Sequence, residues 1–298
     1  MTVTLTLNTF SEPSLLLAAQ HADYLEREGI ALDVVQAKGS RPQMQGLLAG
    51  DWDLVHTNAD NVMKFRGQGH EQLFIFAVAD LGISQKLVVS PDIRSWEDLR
   101  GKPIGVDAPD SGYAFVVYEL LARHGLPAGS YEIVPLGATA YRLEGLRSGE
   151  AVAGLLSHHH ETDALDDGFV ILADTREHFP EFPGVTAATT RDWAQANEEL
   201  LHGYTRGLLA ASVWAQDPAN TDEVVAVMAR GRGISPSEAR RLLDNEQAAR
   251  TGGVPTPEQA ADSLRAVAEL RAKATGTTPE GYFDDSYMRA ALDALDSA

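Results

Sequence analysis

Cysteine is absent from the 298-residue sequence. That excludes disulfides, thiolate metal sites, a cysteine nucleophile and an anchor built on an N-terminal cysteine. Positive charge is scarce: 24 Lys and Arg face 43 Asp and Glu, for a formal charge of −19. A field of that sign repels phosphate backbones and anionic lipid, so nucleic acid is not an expected partner. A local nest of backbone N–H groups can still hold an anion against it. No apolar run approaches the ~20 residues a spanning helix needs, so no membrane insertion is expected. The start, MTVTLTLN, alternates at once, with neither a basic n-region nor an apolar h-region before it. The expectation is a cytoplasmic protein, or a periplasmic or extracellular one if a leader has been removed. Also missing are a Walker loop, a GxGxxG after the first strand, a GxSxG elbow and an HExxH pair. The GKPIG at 101–105 reads as a turn into a strand. No cofactor and no metal are expected.

What is present is an ordinary globular content, 44% apolar with four Trp, eight Tyr and nine Phe. The length suits two lobes better than one core. Short strands and helices alternate through the first half. Strands are predicted at 3–7, 30–35, 53–56 and 73–78, with helices at 13–27 and 60–66. A second series follows, with strands at 86–90, 103–106, 131–134, 151–156 and 169–172 and helices at 112–123, 141–147 and 161–167. Gly29 and Gly125 stand where helices should stop. A last β-branched run covers 185–189, and beyond about Asp192 the pattern is helical, with one long helix predicted over 193–216. Repeated βαβ units predict an α/β fold with mixed, mostly parallel sheets, helices on both faces and a helical C-terminal part. In such sheets ligands gather beyond the C-terminal strand ends, so candidates are sought in those loops.

DSGYA at 110–114 follows a strand and opens a helix. Its free N–H groups and the Ser111 hydroxyl, with Gly112 and Tyr113, suit an anionic group, although an N-cap needs the same residues. HTNADN at 56–61 ends the third strand, where His56 suits hydrogen bonding or acid–base work and Thr57 and Asn58 flank it; Asn58 also suits a cap. In SHHHE at 157–161, His158 and His160 point the same way on an extended chain, with His159 between them. Three imidazoles at a strand end suit metal binding or proton transfer, or form a polar surface loop. Phe10 and Ser11 follow the first strand, Gly39 and Ser40 the second, and Phe10 serves equally as a stacking ring or as core. Thr139 and Arg142 open a further helix, where Arg142 suits a bidentate anion contact or simple solvation.

Several segments together carry a resemblance: EGIALD at 28–33, KGS at 38–40, LAGDWDL at 48–54, SWEDLRGKPIGV at 95–106 and YRLEGLRSGE at 141–150. The series resembles the substrate-binding proteins of nitrate, sulfonate, taurine and thiamine-precursor ABC transporters over roughly 1–190. That family implies a two-lobed, type II periplasmic-binding-protein-like fold. Its first lobe would be 1–83 plus 188–298 and its second 84–187, with hinges near 82–85 and 187–190. It implies a small, anionic or aromatic organic ligand held in a closing cleft, an anion at the Ser111 turn, and an ABC permease as partner if the chain is exported. Cytoplasmic enzymes share the fold, so a lyase, decarboxylase or isomerase using His56, His158 or His160 is the alternative. Among them a sulfinate desulfinase uses a His and an Arg spaced like His56 and Arg66. Its cysteine would fall near Phe10 or Ser11, and none exists here.

Overall fold

The computed structural model describes residues 2–82, 85–157, 159–250 and 253–297, and for Ser157, His159 and Ala249 the main chain alone. The chain divides into two compact units. Unit 1 comprises Met1–Gly82, Glu181–Ala268 and Thr278–Ala298; unit 2 comprises Ile83–Pro180 and Glu269–Thr277.

Unit 1 opens with β1 (Val3–Thr9), α1 (Ser14–His21), β2 (Ile30–Gln36), α2 (Ser40–Ala49), β3 (Leu54–Thr57), α3 (Ala59–Gly67) and β4 (Leu73–Val78). Unit 2 carries β5 (Gln85–Val89), β6 (Pro103–Val106), α4 (Gly112–Arg123), β7 (Glu132–Pro135), α5 (Thr139–Ser148), β8 (Ala153–Ser157), α6 (His159–Asp166), β9 (Val170–Asp174) and α7 (Thr175–His178). The chain then returns as β10 (Thr186–Thr190), α8 (Arg191–Ala196), α9 (Glu198–Gln216), α10 (Thr221–Arg232) and α11 (Pro236–Ala249). It ends with α12 (Pro257–Thr275) and α13 (Ser286–Asp296).

The two sheets share one plan. Their strand orders are β2-β1-β3-β10-β4 and β7-β6-β8-β5-β9. In each, the fourth strand is antiparallel to both neighbours, β10 against β3 and β4, and β5 against β8 and β9. That strand is the one the chain lays down on entering the unit. The other strands run parallel, so their C-terminal ends and following loops gather at one edge of each sheet.

Burial explains the local elements. The SLLLAA run of α1 is apolar on every side and wholly buried, as a helix packed against both α9 and α10 must be. All six residues of β4 are buried although it ends the strand order, because the C-terminal segment covers its edge. Ile75 donates to Tyr282 O (2.7 Å) and accepts from the Asp284 N–H (3.0 Å). In α9, Gly207 lets the chain at Tyr24 and Leu25 pass close: a Cβ there would stand 3.0 Å from Tyr24 O. In unit 2, Val88, Leu143, Leu146, Leu156 and Ala164 form a core under α5 and α6, with Phe169 packed against it.

Three departures from the sequence pattern have local causes. The helix expected to Arg27 ends at His21, because Asp23 turns left-handed (φ 64°) and a 3-10 turn follows. The helix expected over 193–216 breaks at Asn197, whose Nδ2 donates to Trp193 O (3.0 Å) and ends α8. The second unit ends at Pro180 rather than 187, since Gly82 N–H to Phe182 O (2.8 Å) and Gly184 N–H to Asp80 O (2.9 Å) lengthen the β4–β10 pairing. The end of α12 belongs to unit 2, where Arg271 lies over the Phe115 ring and donates to Asp110 O (3.3 Å).

Candidate functional site

In unit 1 the loops after β1, β2, β3 and β4 lie at one sheet edge. Phe10 is 42% exposed, not core, and its carbonyl accepts from Gln36 Nε2 (2.7 Å). The Ser11 carbonyl accepts from Thr9 Oγ1 (2.7 Å). Gly39 caps α2 in extended backbone, and Ser40 begins that helix. Ser40 also lines a hollow of about 460 Å³ with Arg41, Gln45, Lys64, Phe65 and His70 among its walls. Asn58 caps α3, its Oδ1 accepting from the Asp60 N–H (2.9 Å). Thr57 is buried, with Oγ1 accepting from Asn61 Nδ2 (2.9 Å) and its carbonyl accepting from Thr186 Oγ1.

His56 departs from the expectation of an accessible acid or base. It lies within β3, 4% exposed, with Nε2 2.8 Å from the Tyr204 hydroxyl on α9 and Nδ1 buried without a partner among the described residues. Burial lowers its pKa to about 4, so the ring is neutral near pH 7. Burial pushes the Tyr204 hydroxyl up. The pair is a core hydrogen bond, because both side chains are buried, His56 at 4% and Tyr204 at 0% exposure. Arg66 is likewise a staple, with Nε donating to Glu280 O (2.6 Å) and Nη1 to Leu73 O (2.7 Å).

In unit 2 the corresponding edge holds the ends of β6, β7, β8 and β9. Ser111 caps α4: its Oγ accepts from the Ala114 N–H (3.0 Å) and donates to Asp107. The hydroxyl proton expected for a ligand is therefore committed to a carboxylate. Gly112 and Tyr113 form the first turn behind this cap. Arg142 is not a solvated helix residue. It is 4% exposed, and donates from Nε to Leu155 O (2.8 Å), Nη1 to Gly137 O (2.7 Å) and Nη2 to Thr139 Oγ1 (3.0 Å). Burial lowers its pKa, while the charge of Asp107 acts in the opposite direction. His158 lies outside the described residues. The main chain is helical from His159. His160 lies in the first turn of α6.

The sequence reading missed two ionic clusters at these edges, one buried in unit 1 and one half-buried in unit 2. In unit 1, Asp80 follows β4 and pairs with Arg250 (Nε to Oδ2, 3.1 Å), while Asp80 Oδ1 accepts from the Val185 N–H (2.6 Å). A carboxylate directly after the apolar strand at 73–78 was the available signal. Arg250, at the end of α11, stands in no local motif. In unit 2, Asp174 pairs with Lys86 and Arg176. Burial pushes the Asp174 carboxyl up, but hydrogen bonds from Arg176 and Lys86 outweigh it and hold it well below the usual range. Burial raises nearby Glu161, against the pull of Lys86. Among the described residues no group of three or more His, Asp or Glu is placed to hold a metal, and no helix is long and apolar enough to cross a membrane.

Solved structures share this architecture. The alkanesulfonate-binding protein SsuA from Xanthomonas axonopodis pv. citri, bound to MOPS, is 17% identical with a TM-score of 0.75, covering 95% of this chain and 98% of its own. The periplasmic nitrate-binding protein NrtA from Synechocystis PCC 6803 is 11% identical with a TM-score of 0.75, covering 100% and 90%. A mutant of the desulfurization enzyme DszB, in complex with biphenyl-2-sulfinic acid, is 15% identical with a TM-score of 0.68, covering 98% of this chain and 99% of its own. These likenesses establish the type II periplasmic-binding-protein-like α/β fold. No curated protein sequence matches the chain. The NMT1-like family model matches residues 2–229, and with that match the chain belongs to the NMT1-like family.

Proposed function

We propose that this protein captures a small organic anion at the loops following its parallel strands, as a substrate-binding protein does, and delivers it to an ABC permease if it is exported. Arg142 carries the reading. A guanidinium has five N–H donors, and this one spends three on two main-chain carbonyls and a hydroxyl, so both terminal nitrogens keep a hydrogen. The side chain is locked at the strand-end edge of unit 2, and a locked guanidinium with two N–H groups to spare needs no further ordering to grip an oxyanion. The ligands named for the three structural neighbours, an alkanesulfonate-type buffer, nitrate and an aryl sulfinate, are oxyanions or their acids. Acid–base catalysis by His56 forms no part of the proposal, since that ring is buried and neutral.

The test is calorimetry with nitrate, methanesulfonate, MOPS, benzoate and biphenyl-2-sulfinate. At least one organic oxyanion is expected to bind, and Arg142→Lys, which keeps the charge and loses the fork, to weaken it by about ten-fold or more. Far-UV circular dichroism of the variant checks that it folds. If none of the five binds at millimolar concentration, the proposal is wrong.

A further inference from the structure

The unit 1 cluster has a feature that its ion pairs do not use. The Arg250 side chain is 7% exposed. Its Nε meets Asp80 Oδ2 at 3.1 Å, and its Nη2 donates to Ser14 Oγ at 3.0 Å and lies 3.6 Å from Glu246 Oε2. Its Nη1 is buried and has no hydrogen-bond partner among the described residues. A buried, charged N–H without an acceptor is a standing cost that any oxygen or nitrogen lone pair would relieve. Ser14 opens α1 beyond the end of β1, and Asp80 follows the end of β4, so this donor stands at the ligand edge of its own unit.

The surroundings restrict what that acceptor is. Asp80 and Glu246 both flank Arg250, and Arg232 Nη2 lies 3.7 Å from Glu246 Oε1 and donates to Glu12 O. Two carboxylates and two guanidiniums leave the cluster neutral. The N-terminal end of α1 is occupied as well: the Ser14 N–H donates to Glu246 Oε2 (2.9 Å), the place an anion would otherwise take. A further full negative charge at Nη1 would be buried beside two carboxylates with no new cation to balance it. A carbonyl oxygen or a ring nitrogen satisfies the donor without that penalty.

The geometry points to Arg250 Nη1 as a specificity-determining donor for a neutral acceptor group of the ligand, with Glu246 and Asp80 rejecting an anionic one there. This rests on the proposed role as a small-molecule binder and concerns the strand-end edge of unit 1 alone.

The test uses benzamide and benzoate, which share a ring and differ in charge. Crystals of the whole protein soaked in each are expected to show the benzamide oxygen at hydrogen-bond distance from Nη1, with any water there displaced, and benzoate absent from that position. Benzoate on Nη1, a protein oxygen already satisfying it, or a water that benzamide does not displace would each overturn the inference. In solution Arg250→Lys is expected to weaken benzamide by about ten-fold, and an unchanged affinity would overturn it. Should that variant not fold, Glu246→Gln serves instead: benzoate is expected to gain about ten-fold while benzamide hardly changes, and equal responses refute the charge argument. Oxyanion binding that depends on Arg142 but ignores these variants sinks this inference alone, whereas failure of all five oxyanions sinks the broader function.

Discussion

His56 carries its imidazole into the core of unit 1, and a titratable ring so placed makes stability depend on pH. Its folded pKa is about 4 against 6.5 unfolded. Above 6.5 both states are neutral and the ring contributes nothing. As pH falls through the window from 6.5 to 4 the unfolded chain takes a proton that the native ring refuses, so stability is lost with acidification. Between pH 7 and pH 5 this removes about 2 kcal/mol. Urea unfolding of wild type and His56→Phe at both pH values should show that difference as a pH-dependent gap between them. Parallel slopes would place the proton sensitivity elsewhere. Asp80 offers a second test at this scale. A Cβ on Gly184 would stand 2.3 Å from Asp80 Oδ1 and 3.2 Å from Asp80 O. Gly184→Ala is therefore expected to push the carboxylate off Arg250 and the Val185 N–H and to cost about 2–3 kcal/mol in chemical denaturation.

Among the elements, the LAGDWDL segment shows why a family signature is a packing device. Gly50 ends α2 in left-handed backbone (φ 79°). Trp52 lays its ring where a side chain at Gly46 would go, and its Nε1 donates to Gln43 O (2.9 Å). Asp53 then ties three elements: Oδ2 accepts from the Thr6 N–H (2.8 Å), Oδ1 from Trp193 Nε1 (2.7 Å), and its carbonyl from Thr189 Oγ1 (2.8 Å). Asp53→Ala would leave the first two donors without an acceptor, and a loss of about 2–4 kcal/mol is expected in urea. Asp53→Asn, which keeps an acceptor for one of them, should lose less. Such devices are legible because they depend on neighbours in sequence: strand alternation, the apolar run of α1 and the glycine stop at Gly125 after α4 all declare themselves locally. The edges were less legible. Ser111 and Asn58 could be read as caps, but that Ser111 would donate to Asp107 depends on side-chain aim, which a sequence does not carry. Which strand face His56 takes is decided by a register of one residue, and Arg250 reaches Asp80 across 170 positions.

At the scale of the whole chain, the last residues return to complete a sheet begun near the first. Thr278–Ala298 belongs to unit 1. Tyr282 and Asp284 pair with Ile75 on β4, Glu280 O accepts from Arg66, and Met288 and Ala291 are buried, with Met288 Sδ accepting from the Val78 N–H (3.4 Å). Without that segment β4, apolar along its length, would present a row of unpaired N–H and C=O groups and lose the cover of α13. Truncation after Thr277 leaves β1–β4 and β10 intact in sequence, so any change belongs to the missing cover. Loss of the buried Met288 alone is worth about 2–5 kcal/mol, a large part of an ordinary domain's stability. The truncated chain is expected to unfold at lower urea and to self-associate through the open edge, seen as higher mass in light scattering after size exclusion. The net charge of −19 opposes association at low salt, so the effect should grow as sodium chloride screens it. A truncated chain that stays monomeric at high salt with an unchanged unfolding midpoint would show that β4 is held from within the sheet, and that the C-terminal return is dispensable.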